Sequence, residues 1–64
     1  MTTQSSFLIR CWLDPEAGGV VKSYTIQHVQ SGAEFRSHQI AEILAWMDAE
    51  NARHLETLNN EGAK

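Results

Sequence analysis

Residues 26–40, IQHVQSGAEFRSHQI, decide how this chain folds. A β-branched segment leads into Ser31-Gly32, a short aromatic segment follows around Phe35, and beyond Ser37 the apolar spacing changes. Before that point the pattern is the period of two of a strand. After it Ile40, Ile43, Leu44 and Met47 recur at helical spacing. The chain therefore reverses at Ser31-Gly32 as a hairpin and then leaves the sheet as a helix. Ser37 suits the N-cap, because its hydroxyl accepts from a first-turn amide, and His38 would then open the helix.

The hairpin decides which way His28 faces. A two-residue Ser31-Gly32 turn sets Phe35 opposite His28. A type I turn with Gly32 in a bulge pairs Val29 with Ala33 and sets Phe35 opposite Gln27. One residue of register exchanges the two faces of a strand, so both core and solvent stay open for His28 at this level. Phe35 is expected to point inward, as the sole large apolar residue of its segment.

Outward from this corner the rest of the fold follows. Residues 7–13, FLIRCWL, read as a strand with Phe7, Ile9, Cys11 and Leu13 on one face, which is expected to meet the core. Leu8, Arg10 and Trp12 occupy the other, open face. Residues 14–19, DPEAGG, form a loose hairpin connection, since Asp before Pro initiates a turn and the glycines accept positive φ. Residues 20–29, VVKSYTIQHV, form the second strand. On the helix, Leu55 and Leu58 extend the stripe while Asn51 and His54 weaken it, so the later turns overhang the sheet. The expected architecture is α+β: a three-stranded antiparallel meander with one C-terminal helix packed across one face, β-β-β-α. It occupies residues 7–58 as a single domain, with disordered tails at 1–6 and at 59–64, where Asn and Gly signal a helix end.

The composition bounds the function. A chain of 64 residues is one domain, and a lone core of that size seldom supplies more than about 3–5 kcal/mol. Cys11 is the only cysteine, so neither an internal disulfide nor a cysteine-built zinc site supports the core. A partner chain is the remaining staple. The net charge is −3, and the cations Arg10, Lys22, Arg36, Arg53 and Lys64 are scattered, which disfavours nucleic acid as a partner. The apolar runs FLI and CWL are far shorter than the roughly 20 residues of a spanning helix, so no membrane insertion is expected. The start MTTQSS lacks the features of a secretory signal, and a single thiol fits a cytoplasmic location.

Motifs for chemistry are thin. His28, His38 and His54 include no i, i+4 pair, so no metal site is expected; His38 and Glu42 do share that spacing and read as a surface pair. Cys11 sits on an apolar face, where cysteine acts as a small hydrophobe rather than a nucleophile. Asp48 with Glu50, and Glu56 with Glu61, belong to a solvated helix face and a tail. No catalytic residue and no cofactor are assigned. The tryptophans carry more information: Trp12 points away from the core, and Trp46 lies about 60° outside the apolar stripe, among Glu42, Glu50 and Arg53. Tryptophan is enriched at binding hot spots, although each ring also has aliphatic stems to lie against. The candidate interface is Arg10, Trp12, His28, Trp46 and Arg53.

In element order the chain resembles the DNA-binding domains of plant ethylene-response factors and the arm-binding domains of integrases, which read the major groove with an open sheet face. That resemblance is of architecture, and fold does not imply function. Over residues 7–47 it also resembles a group of very small bacterial proteins with no established activity. Ile9, Arg10, Trp12, Ile26, His28, Val29, Ser31, Gly32, Phe35 and the apolar stripe of residues 40–47 carry the likeness, with KSYT where that group has a Trp-Arg-Gly-like segment. It implies the β-β-β-α order and no ligand. The leading expectation is a cytoplasmic, non-catalytic interaction module, an accessory or regulatory subunit. It would act through self-association, as a homodimer, or by docking on a larger protein complex. The alternative is nucleic-acid binding through the open sheet face; a third reading, an enzyme using Cys11 with a histidine, ranks below both.

Overall fold

The computed structural model describes residues 2–62. Strands β1 (Phe7–Asp14), β2 (Val20–His28) and β3 (Glu34–Ser37) form an antiparallel sheet in the order β1-β2-β3, and α1 (Ile40–Gly62) follows. This is the expected β-β-β-α fold. The first connection behaves as its residues dictate: Glu16 N donates to Asp14 Oδ1, Pro15–Ala17 make one 3-10 turn, and Gly19 N closes on Asp14 O at 3.0 Å. Gly18 takes φ of 76°, open to glycine without strain. Lys22 is an extra residue on β2, because Trp12 stands opposite Ser23 while Leu13 stands opposite Val21.

The second hairpin takes neither expected register. Phe35 pairs with Ile26 and Glu34 with Gln27, while His28 N donates to Ala33 O at 2.9 Å. The loop therefore spans residues 29–32, closed by Gly32 N donating to His28 O at 2.8 Å, with Gly32 at φ of 78°. A side chain favours the wider loop. Ser31 Oγ accepts from Ala33 N and also bonds His28 Nδ1, holding both ends of the turn at once. Turn types reckoned from backbone alone omit that contribution. The outcome for His28 is unambiguous, since it joins Ile26 and Phe35 on the helix side and is 1% exposed.

The helix also starts later than its cap signal implies. Ser37 ends β3; its Oγ accepts from Gln39 N at 3.1 Å and donates to Glu42 Oε1 at 3.0 Å. His38 lies in the corner before α1, where its Nδ1 donates to Lys22 O. The expected His38–Glu42 pair is thus replaced by two separate bonds across the corner.

The rotation of α1 corrects the predicted core. Ile43 is wholly buried against the sheet, but Leu44 is 50% exposed and Ile40 is exposed as well. The inward line is instead Ile43, Trp46, Met47, Glu50 and His54. Trp46 explains the turn: its ring stacks on Phe35 with centroids 5.8 Å apart and meets Phe7 edge-on at 6.4 Å. A flat indole between two phenyl rings buries more surface than a leucine in its place, so the helix rolls toward it. Because α1 packs on β2 and β3, the helix-side residues of β1 beyond Phe7 are left open. Ile9 is 41% and Leu13 58% exposed, and Cys11 is exposed too, where all three were expected in the core.

Residues flanking 7–58 also take part in the fold. Ser6 O accepts from Val29 N, and Ser6 N donates to Gln30 Oε1, tying the segment before β1 to the second hairpin. The helix runs on to Gly62, and Leu55 and Leu58, which extend the apolar stripe, are exposed. Met1, Ala63 and Lys64 lie outside the described residues.

Candidate functional site

The buried corner is built around His28. Ser31 Oγ lies 2.8 Å from Nδ1 and Ser5 Oγ 3.0 Å from Nε2, so both ring nitrogens are engaged. Phe7, directly opposite on β1, covers one side of the imidazole at 4.9 Å, and His54 meets it edge-on at 5.2 Å. Next to them Glu50 is 3% exposed, with its carboxylate paired to Arg53 at 2.8 Å. His28, Ser31, Glu50, Arg53, His54 and Leu58 line a cleft of about 310 Å³ at the hairpin end of the helix.

The chemistry of this corner is that of a lock. The Nδ1 partner of His28 is a serine hydroxyl rather than a carboxylate, so nothing charged orients the ring as a base. Each hydroxyl can donate or accept, so the pair of serines satisfies the ring in either tautomer. His28 thereby joins the segment before β1, the second hairpin and the helix. We expect His28→Ala to cost about 2–3 kcal/mol, from the lost ring volume beside Phe7 and two hydroxyls losing a partner. Urea unfolding measures it, and a loss below about 0.5 kcal/mol would show that the corner contributes little.

The open sheet face is organised by Trp12. Its Nε1 donates to Thr25 Oγ1 at 2.8 Å, and the Arg36 guanidinium lies 5.6 Å from the indole centroid. Arg36 Nη2 also donates to Ser23 Oγ, so Ser23 is buried beneath the two larger side chains. Thr25 separates Arg10 from Arg36 across the three strands, and Leu8 lies at the hairpin end. Trp12 remains 47% exposed.

The candidate residues thus divide among three places. Arg10 and Trp12 share the open face, where Arg36 joins them. His28 and Arg53 share the cleft with Glu50 and His54. Trp46 is half-buried in the helix–sheet seam, so its placement outside the core stripe is corrected. Arg36, Ser5, Glu50 and His54 were missed by the sequence reading. Arg36 becomes visible once Phe35 is known to point inward, since its neighbour must then point outward. Glu50 carries a signal too: it stands seven residues after Ile43, which returns to the same helix face. No family model, curated protein or solved structure gives a significant match to the chain.

Proposed function

We propose that this chain is a small non-catalytic interaction module, an accessory or regulatory subunit that acts by associating with protein. The observation that carries the reading is the unfinished cover of its apolar surface. Ile26 and Ile43 are its wholly buried apolar residues among those described, whereas Ile9, Leu13, Ile40 and Leu44 are exposed on the helix side.

The test is the size of the native assembly. The untagged chain, at its own expression level, is expected in a species heavier than its own 7.2 kDa. Leu44→Asp, a change at an exposed position, is expected to return it to that mass without unfolding it. A folded 7.2 kDa species both in native extract and at micromolar concentration would sink the reading.

A second reading rests on a separate observation, the Arg36–Trp12 stack with Arg10 beside it on the open face. Aromatic and guanidinium groups together suit the bases and phosphates of single-stranded nucleic acid. Quenching of Trp12 fluorescence by an oligonucleotide at low salt, abolished by Arg36→Ala and weakened by added salt, would support it. An unchanged spectrum at low salt disposes of it. The net charge of −3 and Glu34 on the same face favour the protein-binding reading.

A further inference from the structure

The two edges of the sheet are unequally protected. β3 has four residues, of which Glu34 and Arg36 are charged, and short charged edges resist further pairing. β1 has eight residues, no proline, and Arg10 as its one charge before the terminal Asp14. The bond from Val29 N to Ser6 O sets the phase of the β1–β2 ladder. Leu8, Arg10 and Trp12 turn their backbone N–H and C=O toward β2, while Phe7, Ile9, Cys11 and Leu13 turn theirs to the free edge. The side chains of those same four residues lie on the helix side, where Ile9, Cys11 and Leu13 are exposed. Unpaired backbone and uncovered apolar side chains therefore come from one set of residues.

We propose that β1 pairs antiparallel with β1 of a second copy of this chain, about a two-fold axis normal to the sheet at Cys11. The pairing rests on the reading of the chain as an interaction module and names its partner. It joins two three-stranded sheets into one, with both helices on the same side. Opposed residues in an antiparallel pair share a face, so keeping the two helix sides together requires the axis to pass a residue rather than fall between two. Two such registers overlap most of the strand, one centred on Arg10 and one on Cys11. The first sets Arg10 against its own copy at a close, non-hydrogen-bonded position, where like charges repel. The second sets Arg10 against Trp12 of the other copy, a cation facing an indole, and pairs Ile9 with Leu13 across the helix side. Charge and apolar cover both choose Cys11.

The register makes a distance prediction. At the axis, Cys11 and its copy form a hydrogen-bonded pair with Cα atoms about 5.5 Å apart, within disulfide reach. Copper phenanthroline added to the full chain is expected to convert it rapidly to a covalent dimer, the two thiols giving two electrons and two protons to the oxidant. In Cys11→Ser with Arg10→Cys, the introduced thiols have Cα atoms about 8 Å apart and are expected to link slowly. In parallel, amide exchange is expected to protect Ile9, Cys11 and Leu13 as concentration rises, although these amides make no bond within one copy. Ile9→Pro removes one of those edge donors without breaking the β1–β2 ladder, and is expected to weaken association about tenfold or more.

Fast linking at position 10 with slow linking at 11 overturns the register. Association that leaves the Ile9, Cys11 and Leu13 amides unprotected overturns the β1 pairing while the interaction-module reading stands. A chain that sediments as a monomer at every concentration overturns the self-pairing; it overturns the broader reading only if the native assembly is monomeric too. Should Ile9→Pro fail to fold, the amide exchange of the unaltered chain still decides.

Discussion

Trp46→Ala is expected to leave this protein barely folded at room temperature. The indole is the largest side chain in the seam between α1 and the sheet, stacked on Phe35 at an interplanar angle of 11° and edge-on to Phe7. Removing a packed Trp from such a seam costs about 3–5 kcal/mol, and the half-buried ring places this case toward the lower end. A domain of this size has about 3–5 kcal/mol in all, so little remains. Trp46→Phe keeps an aromatic face against Phe35 and is expected to lose only about 1–1.5 kcal/mol. Far-UV circular dichroism with urea titration, at one fixed protein concentration, separates the two variants. A cost below about 1 kcal/mol for Trp46→Ala would mean that the seam is held elsewhere.

Ile43→Ala and Leu44→Ala form the second test, because neighbouring residues of similar volume answer to opposite surroundings. Ile43 is 0% exposed and Leu44 is 50% exposed. Ile43→Ala is expected to cost about 3 kcal/mol, combining lost transfer energy with the cavity left against β2. Leu44→Ala is expected to cost less than about 1 kcal/mol at concentrations where the chain sediments as a monomer. Equal costs would restore the helix orientation implied by the spacing of Ile40, Ile43, Leu44 and Met47. A large difference establishes the rolled helix and, with it, the uncovered stripe on which the proposed association depends.

The helix rotation shows where pattern reading stops. Ile40, Ile43, Leu44 and Met47 are a sound apolar stripe, and a hydrophobic stripe normally faces the core. Which part of it touches the sheet is settled by three-way contacts with Phe7 and Phe35, residues far away in sequence. Trp46, set among charged neighbours on the wheel, looked outward for the same reason that Leu44 looked inward. Glu50 repeats the lesson: a carboxylate usually marks the wet face, yet here Arg53 covers it from the solvent side. Of the candidate interface residues, Trp12 was legible because strand alternation is a strict geometric rule, and Arg10 shares its face. His28 was not, because its direction hung on one residue of loop length.

Some features were settled within short reach along the chain. Element types and order followed from the change of apolar period near Ser37, and the first hairpin followed from Asp14-Pro15 and Gly18-Gly19. Phe35 pointed inward because its strand offers no other large apolar residue. Each of these rests on torsional or hydrogen-bonding preferences acting over a few residues. Tertiary structure alone decided the register of the second hairpin, the roll of α1 about Trp46, and its seat on β2 and β3 rather than β1. Those outcomes depend on side chains that meet only after folding, Ser5 with His28 and Trp46 with Phe7 and Phe35. From them follow a buried histidine at the corner and an open apolar edge at β1.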